Sequence, residues 1–114
     1  MKHWTEEQFK AQVLDLATRH DWLIHHDRPA MTSKGWRTAI EGTAGFPDLC
    51  MVNVKQRPAR LIMAELKSED GKMTADQALW RGALRMVEGI ETYLWKPSQL
   101  EEIADLLGPR PEDR

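Results

Sequence analysis

The chain has 114 residues, 41% of them apolar, with a formal net charge of −2 and a sequence pI near 6.1. That composition excludes a disordered chain, and the length suits one hydrophobic core, residues 1–114 forming a single domain. The lone Cys50 excludes a disulfide framework or a thiolate zinc site within one chain, and no segment approaches the roughly 20 apolar residues of a membrane helix. The expectation is a soluble, cytoplasmic protein.

Thr5-Glu6-Glu7-Gln8 has the capping-box pattern, and Phe9, Val13, Leu16 and Ala17 follow at helical spacing. They predict a first helix that ends near His20-Asp21. Trp22 to His26 is short, apolar and aromatic and reads as a first strand. Residues 27–45 read as a long loop, a length that is often functional, with a short strand or hairpin around Trp36 to Ile40. Pro47 lacks a ladder donor and belongs at a strand's start, so Asp48 to Val54 reads as the second strand. Lys55 to Ala59 is a connection of hairpin length, and Arg60 to Lys67 form the third strand.

After a polar turn, Thr74-Ala75-Asp76-Gln77 is a second capping box. The helix it opens is expected to present Trp80, Ala83, Leu84 and Val87 inward and to end at Gly89. Glu91 to Lys96 is a fourth strand, stopped by Pro97. Ser98-Gln99-Leu100-Glu101 reads as a third capping box, opening a helix with Leu100, Ile103, Ala104 and Leu107 toward the core. Gly108-Pro109 stops it, and the tail 108–114 is expected to fray. The order α-β-β-β-α-β-α predicts an α/β sandwich around a mixed sheet. Its third and fourth strands, joined through a helix, should run parallel with a right-handed crossover.

Charge is unevenly spread. Acids gather near the C-terminus, whereas Arg28, Lys34 and Arg37 precede Asp48 and Lys55, Arg57 and Arg60 follow it. The basic residues read equally as solvated loop charges and as a local phosphate-binding surface, for which binding would be salt-sensitive. His25 and His26, adjacent on a strand, point to opposite faces and cannot chelate one metal together. Cys50 reads as a small core residue.

The chemistry lies in Gly45-Phe46-Pro47-Asp48 and in Ala64-Glu65-Leu66-Lys67. Glu65 follows the apolar run Leu61 to Ala64, where a carboxylate is costly without a partner or a metal. Glu65 and Lys67, two apart on a strand, share a face. Phosphodiester hydrolysis needs the phosphate's charge neutralised and a water activated, and a divalent cation supplies both. Magnesium takes one or two protein carboxylates, which suits Asp48 with Glu65, while the Lys67 ammonium would stabilise the reacting phosphate.

Taken together, Gly45-Phe46-Pro47-Asp48, then Glu65-Leu66-Lys67, then Gln77-x-x-Trp80 resemble the PD-(D/E)XK nuclease superfamily, and within it the VRR-NUC (virus-type replication-repair nuclease) domain, over residues 4 to 107. The resemblance implies a restriction-endonuclease-like core and a Mg2+- or Mn2+-dependent endonuclease. Asp48 and Glu65 would be its metal-binding acids, Lys67 its catalytic lysine, and the Leu66 carbonyl a further metal ligand. Glu7 matches the family's additional acid, although a glutamate in a first helical turn is favoured by the macrodipole alone and Glu6 is an alternative. Gln77 is similar to the family's glutamine at the active-site rim, and it also completes a capping box. Trp80 reads as core rather than as a base-stacking platform. Small members of the family resemble phage-encoded homodimers acting on branched DNA such as four-way junctions, which implies work in a host cell's cytoplasm. A non-catalytic nucleic-acid-binding module on the same fold, and a restriction-type subunit, are the alternatives.

Overall fold

The computed structural model describes residues 4–27, 30–32, 35–37 and 41–111. The chain runs through α1 (Glu6–Arg19), β1 (Leu23–His26), β2 (Ala30–Thr32), β3 (Gly35–Arg37), β4 (Leu49–Asn53) and β5 (Arg60–Leu66). It continues through α2 (Ala75–Arg85), β6 (Ile90–Trp95), a 3-10 turn (Pro97–Gln99) and α3 (Leu100–Leu107). Four strands form a mixed sheet in the order β1-β4-β5-β6, antiparallel except for the β5–β6 pair, which α2 connects. The expected α/β sheet is present. β2 and β3 pair as a separate hairpin that begins upstream of the stretch where one was expected, and Ile40 lies outside the described residues. No described helix is long and apolar enough to cross a membrane.

Helix periodicity and strand alternation meet on one face of the sheet. Phe9, Val13 and Ala17 of α1 and Ile103 and Leu107 of α3 bury against Leu49, Met51, Ile62, Ala64, Leu66 and Trp95. The helix starts are as the side chains dictate. Thr5 Oγ1 accepts from Gln8 N–H at 3.1 Å while Gln8 Oε1 accepts from Thr5 N–H at 2.9 Å. Asp21 takes a left-handed φ of 67° after α1, and Trp22 turns into the core rather than joining β1, its indole donating to the Leu107 carbonyl at 2.8 Å.

Three expectations fail for tertiary reasons. Nothing on α2 is fully buried: Trp80 and Leu84 are half-buried, while Ala83 and Val87 are exposed, because this helix lies against β6 at the margin of the sheet. It ends at Arg85, short of Gly89. Ser98 caps nothing with its side chain; Gln99 Oε1 accepts from Lys96 N–H at 2.9 Å over a 3-10 turn, and Ser98 N–H goes instead to Glu69 Oε2 at 3.0 Å. Cys50 is half-buried, on the face of β4 that alternates with the core residues Leu49 and Met51.

Arg60 is not a loop cation. Its guanidinium is buried and forms two 2.7 Å bonds to Glu91, with further bonds to Gln56 Oε1 and the Leu106 carbonyl at 2.9 Å, and it lies over the Trp22 ring. One side chain therefore ties the β4–β5 connection to β6 and to the end of α3. Arg60→Ala strands Glu91 and two acceptors, and should cost about 3 kcal/mol in urea unfolding, the lower end for breaking a buried pair. Adding Glu91→Gln should recover part of that loss.

Candidate active site

The β4–β5 register puts Leu49 opposite Ala64 and Met51 opposite Ile62. One residue further along, Asp48 faces Glu65. Asp48 Oδ2 accepts from Leu66 N–H at 2.9 Å, and Lys67 N–H donates to the Trp95 carbonyl at 3.0 Å. Main-chain groups of successive strand residues point to opposite edges, so Leu66 turns both its N–H and its carbonyl toward Asp48. Glu65 and Lys67 project from the face of β5 opposite to Leu66.

Glu65 is only 3% exposed. Its carboxyl hydrogen-bonds Asp48, and Gln77 Nε2 donates to Glu65 Oε1 at 3.3 Å. Burial first, then the hydrogen bond and charge of Asp48, push the Glu65 carboxyl up to about 9, with Lys67 acting in the opposite direction. Near neutral pH Glu65 therefore holds its proton, because a buried carboxyl against a second acid resists ionising. Gln77 completes the expected capping box, its Oε1 accepting from Thr74 N–H at 2.9 Å, and its Nε2 reaches Glu65.

Asp48 opens into a cleft of about 570 Å³ bordered also by Glu6, Glu7, Lys10, Asp27, Leu66 and Gln77, among others, and Glu65 lies buried behind it. Of the two α1 glutamates, Glu6 is the one whose charge interacts with Lys67, Asp48 and Glu65. Partial burial raises the Glu6 carboxyl, Lys67 opposes this, and Asp48 adds to it. Glu7 also borders the cleft. Lys10 and Asp27 belong to no motif in the sequence; the spacing of Glu6 and Lys10 by one helical turn is the only signal that links Lys10 to the site.

A clamp holds the Asp48 loop. Phe46 meets Trp80 edge-to-face with ring centroids 5.1 Å apart, and Trp80 Nε1 donates to the Thr43 carbonyl at 3.1 Å. Trp80 is thus a loop anchor. Gly45, with φ of 100°, packs so closely on α2 that a Cβ there would overlap the main chain of Asp76.

Among the described residues no three His, Cys, Asp or Glu side chains form a ready metal cluster. Two carboxylates and a carbonyl are nevertheless the hard oxygen donors that magnesium accepts while keeping several waters. A buried Glu65 carboxyl held against Asp48 marks a place where a divalent cation relieves repulsion between acids, so the residues fit such an ion.

The same arrangement of helices and sheet occurs in a solved structure described as a VRR_NUC domain, with a TM-score of 0.64 over 90% of this chain and 97% of that chain, at 14% sequence identity. The chain has a VRR-NUC fold. No family model matches the sequence, and no curated protein matches it. Within the VRR-NUC fold, the Asp48 loop and the end of β5 are brought together by strand pairing, and the α2 cap and the α1 N-terminus border the same cleft.

Two outcomes test this geometry. Gly45→Ala forces an L-residue into left-handed backbone against Asp76 and should lose roughly 2 kcal/mol or more in urea unfolding. The second concerns pH. Because the folded chain holds the Glu65 proton up to about 9 and a free glutamate only to 4.5, the metal-free protein should lose stability as pH rises between those values. Glu65→Gln should flatten that dependence in denaturant midpoints taken at pH 5, 7 and 9.

Proposed function

We propose that this chain is a metal-dependent nuclease that hydrolyses DNA phosphodiester bonds. Asp48 and Glu65, with the Leu66 carbonyl, would hold a Mg2+ or Mn2+ ion, and Lys67 would stabilise the reacting phosphate. The observation that carries the reading is an acid, 3% exposed, held against a second acid and flanked by an ammonium. A stabilising ion pair needs one carboxylate and one cation; a second acid against a buried one raises the cost of the fold, and a bound cation would offset that cost.

When bound, the ion would neutralise phosphate charge and activate water. The chain's own groups do the rest. Gln77 Nε2 holds Glu65 in place, and the Leu66 N–H fixes Oδ2 of Asp48. The Lys67 ammonium meets the negative charge that builds on the phosphate oxygens in the transition state. Glu6 or Glu7 would add an outer acid, and the interaction of Glu6 with Lys67 and Asp48 favours Glu6.

The preferred substrate in this reading is branched DNA, such as a four-way junction, cut by a homodimer that carries one cleft per protomer. Leu79, Ala83 and Met86 form an exposed stripe at helical spacing on α2, Met86 being 87% exposed, and they provide apolar surface for a dimer. The test is incubation of the protein with labelled four-way junction, flap and linear duplex, with and without Mg2+. Metal-dependent cleavage of the junction is expected, and Lys67→Ala should lower it by roughly 10²-fold or more while DNA binding in EDTA persists. Asp48→Asn should also weaken metal binding in calorimetry. Binding without any product would favour a non-catalytic module, and equal cutting of all three substrates would remove the junction preference.

A further inference from the structure

Lys10 stands one turn after Glu6 on α1, and both border the cleft that holds Asp48. A glutamate followed by a lysine four residues on ordinarily closes an ion pair along the helix. Here it does not. Lys10 Nζ donates to the main-chain carbonyl of Asp27 at 3.3 Å, and Lys10 forms no salt bridge among the described residues. Its ammonium is therefore tethered at the cleft wall by a neutral oxygen rather than by a carboxylate; its charge acts on Glu6 without closing an ion pair, so no acid among the described residues caps it.

A DNA strand carries one charge per ~3.4 Å of helix axis, so a strand with one phosphate at Asp48 and Glu65 leads its neighbours past the cleft wall. Resting on the nuclease reading, we propose that Lys10 binds a backbone phosphate adjacent to the scissile one. It would hold the strand in register while Lys67 serves the reacting group. The tether to Asp27, the residue that follows β1 and itself borders the cleft, holds the long lysine side chain at the cleft wall and reduces the freedom it would lose on binding.

The alternative is that Lys10 only ties α1 to the end of β1. Charge separates the two roles. Binding of the labelled junction is followed by fluorescence anisotropy in EDTA over a range of salt for the unaltered protein, Lys10→Gln, Lys10→Ala and Lys10→Arg. Lys10→Gln keeps a donor for the Asp27 carbonyl but loses the charge. Both neutral variants should bind roughly five- to ten-fold more weakly at 0.1 M salt, with the slope of log K against log salt shallower by about 1, and Lys10→Arg should restore it. In Mg2+, their KM for cleavage should rise while kcat stays close to that of the unaltered protein. An unchanged slope in Lys10→Gln overturns the assignment, as does a loss confined to kcat. If the unaltered protein neither binds nor cuts DNA, the nuclease reading falls and this role with it, an outcome distinct from cleavage that is indifferent to Lys10.

Discussion

The antiparallel register of β4 on β5 is the constraint from which the cleft follows. With Leu49 opposite Ala64, the residue before β4 must face the residue after Ala64, so Asp48 meets Glu65 with no special loop geometry. A slip of one position would turn Glu65 into the apolar layer under α1 and bring Leu66 out. The buried row of Leu49, Met51, Ile62, Ala64 and Leu66 therefore sets the active-site register as well as the core. The hydrogen bond from Leu66 N–H to Asp48 then replaces the next rung of the ladder with a side chain. Local pairing of the main chain gives way there to a carboxylate that borders the cleft.

The second element of the site is recruited by capping. Thr74 and Gln77 close the start of α2 reciprocally, which spends the oxygen of the Gln77 amide and leaves its nitrogen pointing at Glu65. Phe46, Trp80 and Gly45 hold the Asp48 loop on that same helix. Substituting Trp80 would thus act on the acids indirectly, through the loop. Although α2 buries little apolar surface, it fixes two sides of the cleft.

Legibility in the sequence followed the range of the interactions. The capping boxes at Thr5 and Thr74 involve residues three apart, and both helix starts were readable from them. Glu65 and Lys67 are two apart on one strand, and their shared face needed only the period of a strand. Ser98 misled because a competing acceptor, Glu69, lies 29 positions away in sequence and takes its N–H. The inward face expected of α2 was wrong for a related reason: periodicity reports which residues are apolar, but only the sheet's width decides how much of that face is covered. Arg60 looked like a surface cation beside Lys55 and Arg57 because its partner Glu91 is on another strand. The choice between Glu6 and Glu7 depends on the angle at which α1 approaches the sheet, which no local pattern contains.

The two ends of β5 show how structural and functional charge differ within one strand. At its start, buried Arg60 has a carboxylate, an amide oxygen and a main-chain carbonyl, each within 2.9 Å, and Tyr93 donates to the same Glu91. All three guanidinium nitrogens have an acceptor, and removing a partner costs stability. At the other end, buried Glu65 faces another acid and keeps a proton well above the ordinary carboxylate range. Lys67, on the same face, does not cancel that strain. Evolution of stability alone would replace either acid with an apolar residue or an amide, since a satisfied amide in this position avoids the repulsion. The same seven-residue strand thus carries a matched ion pair at one end, which holds the fold together, and an unmatched acid pair at the other, which the fold has to bear.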